Sequence, residues 1–314
     1  MSYAVLFPGQ GSQNQGMLDP YIKDSVFSKI IDQSSEILGY NLTEAVQDES
    51  KLNNTLYTQP IMVAVSYAMW CVWKEKSSVL PSYAAGHSLG EYTALVANGF
   101  ISLEDCLNLV VIRAKSMLKA MDGIEGGMAA VIGLNAEDIQ SVCGDLSTDK
   151  ELIQAVNFNS EKQIVVAGHM NVIKDSVSAF KSKGAKLVKV LPVSIAAHTK
   201  LMDNCSDILN KLLINMDNIN NNFLFPVIHN VDAKPKETNT DIINALCKQV
   251  NSPVLWTKTI ESIREMNITN FIEIGPGKVL SGLNKRISGD ISSVPISNYE
   301  NINIALEMSL NDRS

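Results

Sequence analysis

Short apolar runs alternate along the chain with longer stretches in which apolar residues recur every three or four positions, the signature of buried strands joined by amphipathic helices. Tyr3 to Phe7 reads as a buried strand, and Pro8-Gly9-Gln10-Gly11-Ser12-Gln13 as the loop leaving it. Tyr21 to Gly39 reads as an amphipathic helix stopped by its glycine. Residues 48–57 are polar and irregular. The apolar run Ile61 to Trp73, interrupted only by Ser66, predicts a core helix opened by Pro60, with Gln59 at its start either capping it or facing a site. Pro81 to Ala85 predicts a short strand and Leu89 to Ala97 a helix ending at Asn98-Gly99. Ser102-Leu103-Glu104-Asp105 is a capping box, after which Cys106, Leu107, Val110, Ala114, Met117 and Met121 mark one face of a helix.

From Gly123 to Pro192 the pattern changes. Met128 to Ile132 is a strand, Ala136 to Cys143 a helix, Leu152 to Val156 and Gln163 to Ala167 are strands around Asn157-Phe158-Asn159-Ser160, Val172 to Lys183 is a helix, and Ala185 to Leu191 a strand. This β-α-β-β-α-β order describes a ferredoxin-like unit over residues 123–192, inserted whole into a larger domain made of residues 1–122 and 193–314, with Gly123 to Gly127 and Pro192 as hinges. Past it, Thr199 to Ile214, Ile242 to Val250, Trp256 to Met266 and Val279 to Ile287 read as helices. Val227 to Asn230, Phe271 to Ile274 and Val294 to Ile296 read as strands, and the Asn-rich segment to Asn222 as a surface loop. The fold class is therefore α/β with a parallel sheet.

At 314 residues and 46% apolar composition the chain has ample material for such a core. A net charge of −7 with scattered Lys and Arg argues against a nucleic-acid groove or a basic membrane-surface helix. The longest apolar run is too short to span a bilayer. Five widely spaced cysteines without zinc spacing read as buried thiols of a reducing compartment, and the N-terminus enters a strand without a signal-like run, so a cytoplasmic enzyme is expected.

The chemistry centres on Gly86-His87-Ser88-Leu89-Gly90, a Gly-x-Ser-x-Gly turn between strand and helix. Such a corner lifts the Ser88 hydroxyl clear of the sheet and offers the Leu89 N–H to a developing oxyanion. The bland alternative is a glycine-rich connection carrying a surface serine. Gly9-x-Gly11 lacks the third glycine of a dinucleotide fingerprint, since position 14 is Asn14. Its loop is either a plain turn or a second oxyanion donor through the Gln10 N–H. Arg113 flanks an apolar helix face, where it either snorkels to solvent or enters the pocket to clamp a carboxylate. Of the four histidines, His87 should point away from Ser88, and His169 and His229 read as structural. His198, where the chain re-enters the main domain, is the candidate base. No acid between Ser88 and His198 convincingly completes a triad, and a backbone carbonyl can take that place, since it too accepts the Nδ1–H hydrogen bond that fixes the tautomer.

Gly9-Gln10-Gly11-Ser12-Gln13, Gly86-His87-Ser88-Leu89-Gly90-Glu91-Tyr92, Arg113 at 25 residues beyond the serine, Ser194 to His198, Gln249-x-x-x-Pro253-x-x-Trp256 and Gly275-Pro276-Gly277-Lys278-Val279-Leu280 follow one another over almost the whole chain. Together they resemble the malonyl-CoA:acyl carrier protein transacylases of dissociated fatty acid synthesis. The resemblance implies an α/β-hydrolase-like core with a ferredoxin-like (βαββαβ) insertion, and ping-pong transfer of a malonyl group through Ser88 to the phosphopantetheine thiol of an acyl carrier protein. It implies His198 as base, Gln249 as the residue orienting it through its backbone carbonyl, Gln10 and Leu89 as oxyanion donors, and Arg113 as the partner of the malonyl carboxylate. Gln59 and Asn159 match positions lining the family's pocket. No metal or cofactor is implied, nor any nucleic-acid or membrane partner, and a monomer is expected. Lys186, Lys189, Lys285 and Arg286 are candidates for docking the acidic carrier. The family's usual Pro-Ser pair before the histidine is here Ala196-Ala197. A serine thioesterase and a noncatalytic carrier-docking subunit are the rival readings.

Overall fold

The computed structural model describes residues 2–216 and 218–310, so position 217 of the Asn-rich segment lies outside the described residues. In chain order the strands are β1 (Ala4–Phe7), β2 (Tyr83–Gly86), β3 (Gly126–Ile132), β4 (Ile153–Ser160), β5 (Gln163–His169), β6 (Leu187–Val190), β7 (Val227–Ile228), β8 (Asn270–Glu273) and β9 (Ser292–Pro295). They make a mixed α/β architecture with one parallel and one antiparallel sheet. The parallel sheet has the order β7-β2-β1-β8-β9, and the antiparallel sheet the order β4-β5-β3-β6.

Burial on both faces explains why the central strands are continuously apolar. Val5 and Phe7 pack into one cluster with Val65, Trp70 and Leu95, while Ala4 and Leu6 face Trp256, Ile260 and Phe271 in another. Successive side chains thus enter opposite layers of the same sandwich. The carboxyl ends of β1 and β2 lie side by side, Phe7 opposite Gly86, so the two loops leaving them, 8–13 and 87–89, are neighbours. No helix of the described residues is long and apolar enough to cross a membrane.

Several boundaries move from those expected. The core helix runs Thr55–Lys76, with Asn54 as its cap accepting from the Leu56 N–H, so Pro60 lies inside the helix rather than at its start. The cap forms upstream, and Pro60 costs only the one hydrogen bond its missing N–H would make. Gln59 is consequently a buried mid-helix side chain and caps nothing. Residues 48–57, expected to be irregular, contain the short helix Glu49–Leu52 opened by the Asp48 side chain, and the segment before them, for which no element was expected, forms the helix Leu42–Gln47 capped by Asn41. A last helix, Asn301–Leu310, was not signalled by any strong apolar period.

Asn157-Phe158-Asn159-Ser160 was expected between strands; instead it continues β4. Two register shifts bulge it against β5, and its other edge is tied to the segment around Val254: Val254 donates to the Val156 carbonyl at 2.8 Å and Phe158 to the Val254 carbonyl at 2.9 Å. These bonds keep a polar sequence extended. Gly126 and Gly127, expected in a hinge, begin β3 and pair with His169 and Gly168.

At the turn around Ser88 the spacing of backbone is very tight. A Cβ on Gly86 would lie 1.9 Å from the Gly90 carbonyl carbon, and one on Gly90 would lie 2.0 Å from the Phe7 oxygen. The strand and the following helix therefore touch backbone to backbone, which only glycine permits. Gly90→Ala is expected to destabilise the fold by about 3 kcal/mol, the upper range for overpacking, because the atom it strikes belongs to the central strand. A urea-unfolding midpoint equal to that of the unmutated protein would show the contact to be loose.

Candidate active site

Ser88 occupies the corner between β2 and the helix Gly90–Ala97 with φ at 51°, a left-handed conformation unusual for a non-glycine residue. Its amide donates to Asn230 Oδ1 at 2.7 Å and its carbonyl accepts from Gln249 Nε2 at 2.7 Å, so side chains grip both sides of the strained residue. The hydroxyl is thereby aimed at His198, with Oγ and Nε2 2.7 Å apart.

His198 also has a positive φ, 64°, and its amide donates to the Val250 carbonyl at 2.9 Å. Thr199 Oγ1 donates to the Ala196 carbonyl at 2.7 Å, tying the loop that contains Ala196-Ala197. His198 Nδ1 lies 2.7 Å from the Gln249 carbonyl oxygen, which can only accept. Nδ1 therefore carries the hydrogen and Nε2 presents a lone pair to Ser88, the tautomer a base needs. Burial, and secondarily the charge of Arg113, pull the imidazole down to about 3, against the smaller upward pull of the Gln249 carbonyl. Because the folded value lies below the unfolded one, the native chain holds fewer protons. The stability this group contributes is present above its ordinary value and is lost as pH falls from about 6.5 towards 3.

Arg113 does not snorkel. It is 2% exposed on the helix Leu103–Ala120, with its guanidinium over the Tyr92 ring at 5.3 Å. NH1 donates to Gln59 Oε1 at 2.7 Å and NH2 to Gln249 Oε1 at 3.3 Å, whereas Nε is buried without a partner among the described residues. Gln249 thus touches Ser88, His198 and Arg113 at once.

The loop carrying Gln10 rests on the serine turn. A Cβ on Gly9 would lie 3.6 Å from the Leu89 nitrogen. Neither the Gln10 nor the Leu89 amide donates to a backbone carbonyl among the turn and loop bonds of the described residues. The Gln10 side chain joins the same network, accepting from Thr55 Oγ1 at 3.0 Å, which in turn accepts from Gln59 Nε2 at 3.2 Å. Asn159 reaches the site one step removed: its Oδ1 lies 2.7 Å from His87 Nε2, and the His87 ring packs on Trp256 at 5.4 Å. Burial lowers the His87 pKa, against the smaller upward pull of the Asn159 hydrogen bond.

Three further residues were not found by sequence reasoning. Glu91, fully buried, accepts from His229 Nδ1 at 2.7 Å, the Asn230 amide at 3.1 Å and Gln249 Nε2 at 3.1 Å. Asn230 also donates from Nδ2 to the Gly86 carbonyl at 2.6 Å. One signal was available: Glu91 is the sole charged residue in a helix whose every position is buried. A charge is retained in such a place when several donors surround it.

Residues 5–294 match the acyl transferase domain family. The chain is 39% identical over 310 residues to the malonyl CoA-acyl carrier protein transacylase of Haemophilus influenzae, covering 97% of this chain and 98% of that one. The solved structure of the Coxiella burnetii malonyl CoA-acyl carrier protein transacylase superposes with a TM-score of 0.94 at 36% identity, over 98% of both chains. A malonyl-transacylase bound to a type II PKS acyl-carrier protein superposes equally well, TM-score 0.94 at 39% identity, over 98% of this chain and 99% of that one. A serine corner, a buried arginine and end-to-end similarity to these proteins lead to one placement: the chain belongs to the acyl transferase family, among the malonyl-CoA:acyl carrier protein transacylases.

Proposed function

We propose that the protein transfers the malonyl group of malonyl-CoA to the phosphopantetheine thiol of acyl carrier protein, supplying extender units for fatty acid synthesis. The observation that carries this reading is the single residue Gln249 holding together the Ser88–His198 pair and a buried Arg113 that has no carboxylate partner among the described residues. Ser88 and His198 supply acyl transfer, and Arg113 supplies the preference for an acyl group ending in a carboxylate.

In the first half-reaction Ser88 Oγ attacks the thioester carbonyl as His198 Nε2 takes the hydroxyl proton. The Gln10 and Leu89 N–H groups hold the oxyanion. Collapse of the tetrahedral intermediate breaks the carbon–sulfur bond, and the departing CoA sulfur takes the proton back from His198. In the second half-reaction the carrier's thiol gives its proton to His198 and attacks the malonyl ester, and Ser88 leaves with that proton. His198 has no acidic partner among the described residues, and Gln249 fixes its tautomer through the carbonyl oxygen.

The core is read as α/β-hydrolase-like, built from residues 1–122 and 193–314, and residues 123–192 as a ferredoxin-like insertion. The antiparallel order β4-β5-β3-β6 supports the second name. A basic carrier-docking surface is read at the seam of the two units. Arg286 donates to Gln163, and Ile132 lies opposite both Gln163 and Leu187, which places Lys186 about two strand spacings, roughly 10 Å, from that contact.

The test is an acylation time course with malonyl-CoA, methylmalonyl-CoA and acetyl-CoA, read by intact mass and mapped to Ser88, followed by addition of phosphopantetheinylated carrier protein. Malonyl transfer to the carrier is expected. Release of the acyl group to water at the same rate without carrier would instead make the protein a thioesterase, and failure to acylate a docking subunit. The kcat/KM for malonylation should stay level from about pH 8 to pH 5, whereas an imidazole at its ordinary value would be only about 3% neutral at pH 5. An acid limb centred near 6.5 would contradict the buried, depressed state of His198.

A further inference from the structure

Arg113 is held in an unusual way for a buried guanidinium. Its two contacts with other side chains' oxygens are to uncharged amides, Gln59 Oε1 at 2.7 Å and Gln249 Oε1 at 3.3 Å, and its Nε has no partner among the described residues. No ion pair of Arg113 occurs among those residues. A buried carboxylate is nevertheless close at hand. Glu91 binds the Gln249 amide nitrogen, whose oxygen binds Arg113, so a single amide separates the two opposite charges.

A direct Glu–Arg pair would be the ordinary solution for two buried charges, and it would also satisfy the guanidinium. With that solution nothing would remain to attract a substrate carboxylate. The amides orient the guanidinium and leave its charge unneutralised. Glu91 is kept off Arg113 by its other donors, His229 Nδ1 and the Asn230 amide, as well as by Gln249 itself. Gln59 is in turn fixed by its own donation to Thr55 Oγ1 at 3.2 Å.

We propose that Gln59 and Gln249 are positioning residues that set acyl selectivity by anchoring Arg113 through neutral oxygens, Gln249 standing as a one-amide spacer between Arg113 and the buried Glu91. This inference rests on the reading of Arg113 as the partner of the acyl carboxylate. It assigns the selectivity of the site to the absence of charge on its two anchors as well as to the arginine.

Gln59→Glu tests it, because it places a carboxylate oxygen where Gln59 Oε1 already meets NH1. Thr55 Oγ1 can turn its single hydrogen to the new oxygen at the expense of its bond to Gln10 Oε1, a loss that falls on malonyl and acetyl transfer alike and leaves their ratio as the readout. Rates of Ser88 malonylation and acetylation would be measured by intact mass on the full chain, with thermal unfolding as a check on folding. The expected result is a fall of about 100-fold in malonyl-CoA kcat/KM with acetyl-CoA changed by no more than a few-fold, so that the preference itself collapses. Equal losses on both substrates, or a preserved preference, would overturn the proposal. Gln59→Met, near in size and uncharged, should slow malonylation yet keep the malonyl-to-acetyl ratio within about tenfold of the unmutated protein. A ratio lost equally in the Met and Glu variants would also overturn it, and the Met result decides the matter should the Glu variant not fold. An unmutated chain that accepts no malonyl group would remove the function reading and this inference together. An unmutated chain that accepts malonyl, beside a Gln59→Glu chain of unchanged preference, would remove the inference alone.

Discussion

Arg113→Ala is expected to lower malonyl transfer by about 100- to 1,000-fold while acetyl transfer stays within a few-fold of its original rate. The magnitude follows from truncating one partner of a desolvated charge pair, about 2–5 kcal/mol. Here the charge left unpaired would be the acyl carboxylate, in a pocket that offers it no other cation among the residues bonded to Arg113. The acetyl rate is spared for a separate reason. Arg113 is one of the causes that hold the His198 imidazole down, so its removal makes the base more basic. A neutral acyl group, which gains nothing from the guanidinium, keeps the catalytic pair, because Gln249 stays tied to Ser88 and Glu91 through Nε2 and to His198 through its backbone carbonyl when its contact with Arg113 is lost. Arg113→Lys should recover a small part of the malonyl rate, since an ammonium lacks the planar fork that reaches Gln59, Gln249 and a carboxylate together. The measurement is the ratio of kcat/KM for malonyl-CoA and acetyl-CoA, and equal losses on both would sever Arg113 from substrate recognition.

The malonyl carboxylate has a second consequence in this geometry. If the carboxylate pairs with Arg113 as proposed, it would offset the charge that disfavours protonation of His198 and so make the base acting on it more basic. Discrimination against acetyl then resides in the chemical step as well as in binding, and a kcat difference between the two substrates is its readout.

The parts of this arrangement that were legible in the chain are those coded locally. Strand, glycine-flanked serine and helix are adjacent in sequence, and the close approach of Gly86 to Gly90 is a property of that segment alone. The antiparallel unit was readable because β-α-β-β-α-β alternates periods clearly. What could not be read depends on contacts between distant segments. Arg113 sits at the edge of an apolar stripe, and periodicity cannot tell whether a second layer covers that edge; the Thr55–Lys76 helix, carrying Gln59, does so. Asn157 to Ser160 has the composition of a turn, and only the Val254 segment bonded along it makes it a strand. Glu91, His229 and Asn230 come from two regions about 138 positions apart that meet under the serine turn. The choice of His198 over the other histidines rested on its place where the chain re-enters the main domain, and the family resemblance pointed to the same residue. Its identity as the Ser88 partner is a fact of tertiary structure.

The largest effects should come from that pair. His198→Ala is expected to reduce Ser88 acylation by about 10⁴-fold or more, and Ser88→Ala to abolish the covalent malonyl adduct, the scale found when a hydroxyl nucleophile or its base is removed. The double variant should lose little more than either single one, because a serine without its base and a base without its serine are equally idle. Residual turnover, if any, would come from the Gln10 and Leu89 amides polarising the thioester, and would pass directly to water with no dependence on carrier protein. The decisive measurement is intact mass after mixing with malonyl-CoA. A Ser88→Ala protein that still gains a malonyl group on another residue would move the nucleophile elsewhere. A His198→Ala protein that acylates at its full rate would show that the 2.7 Å contact between Oγ and Nε2 positions the serine without activating it.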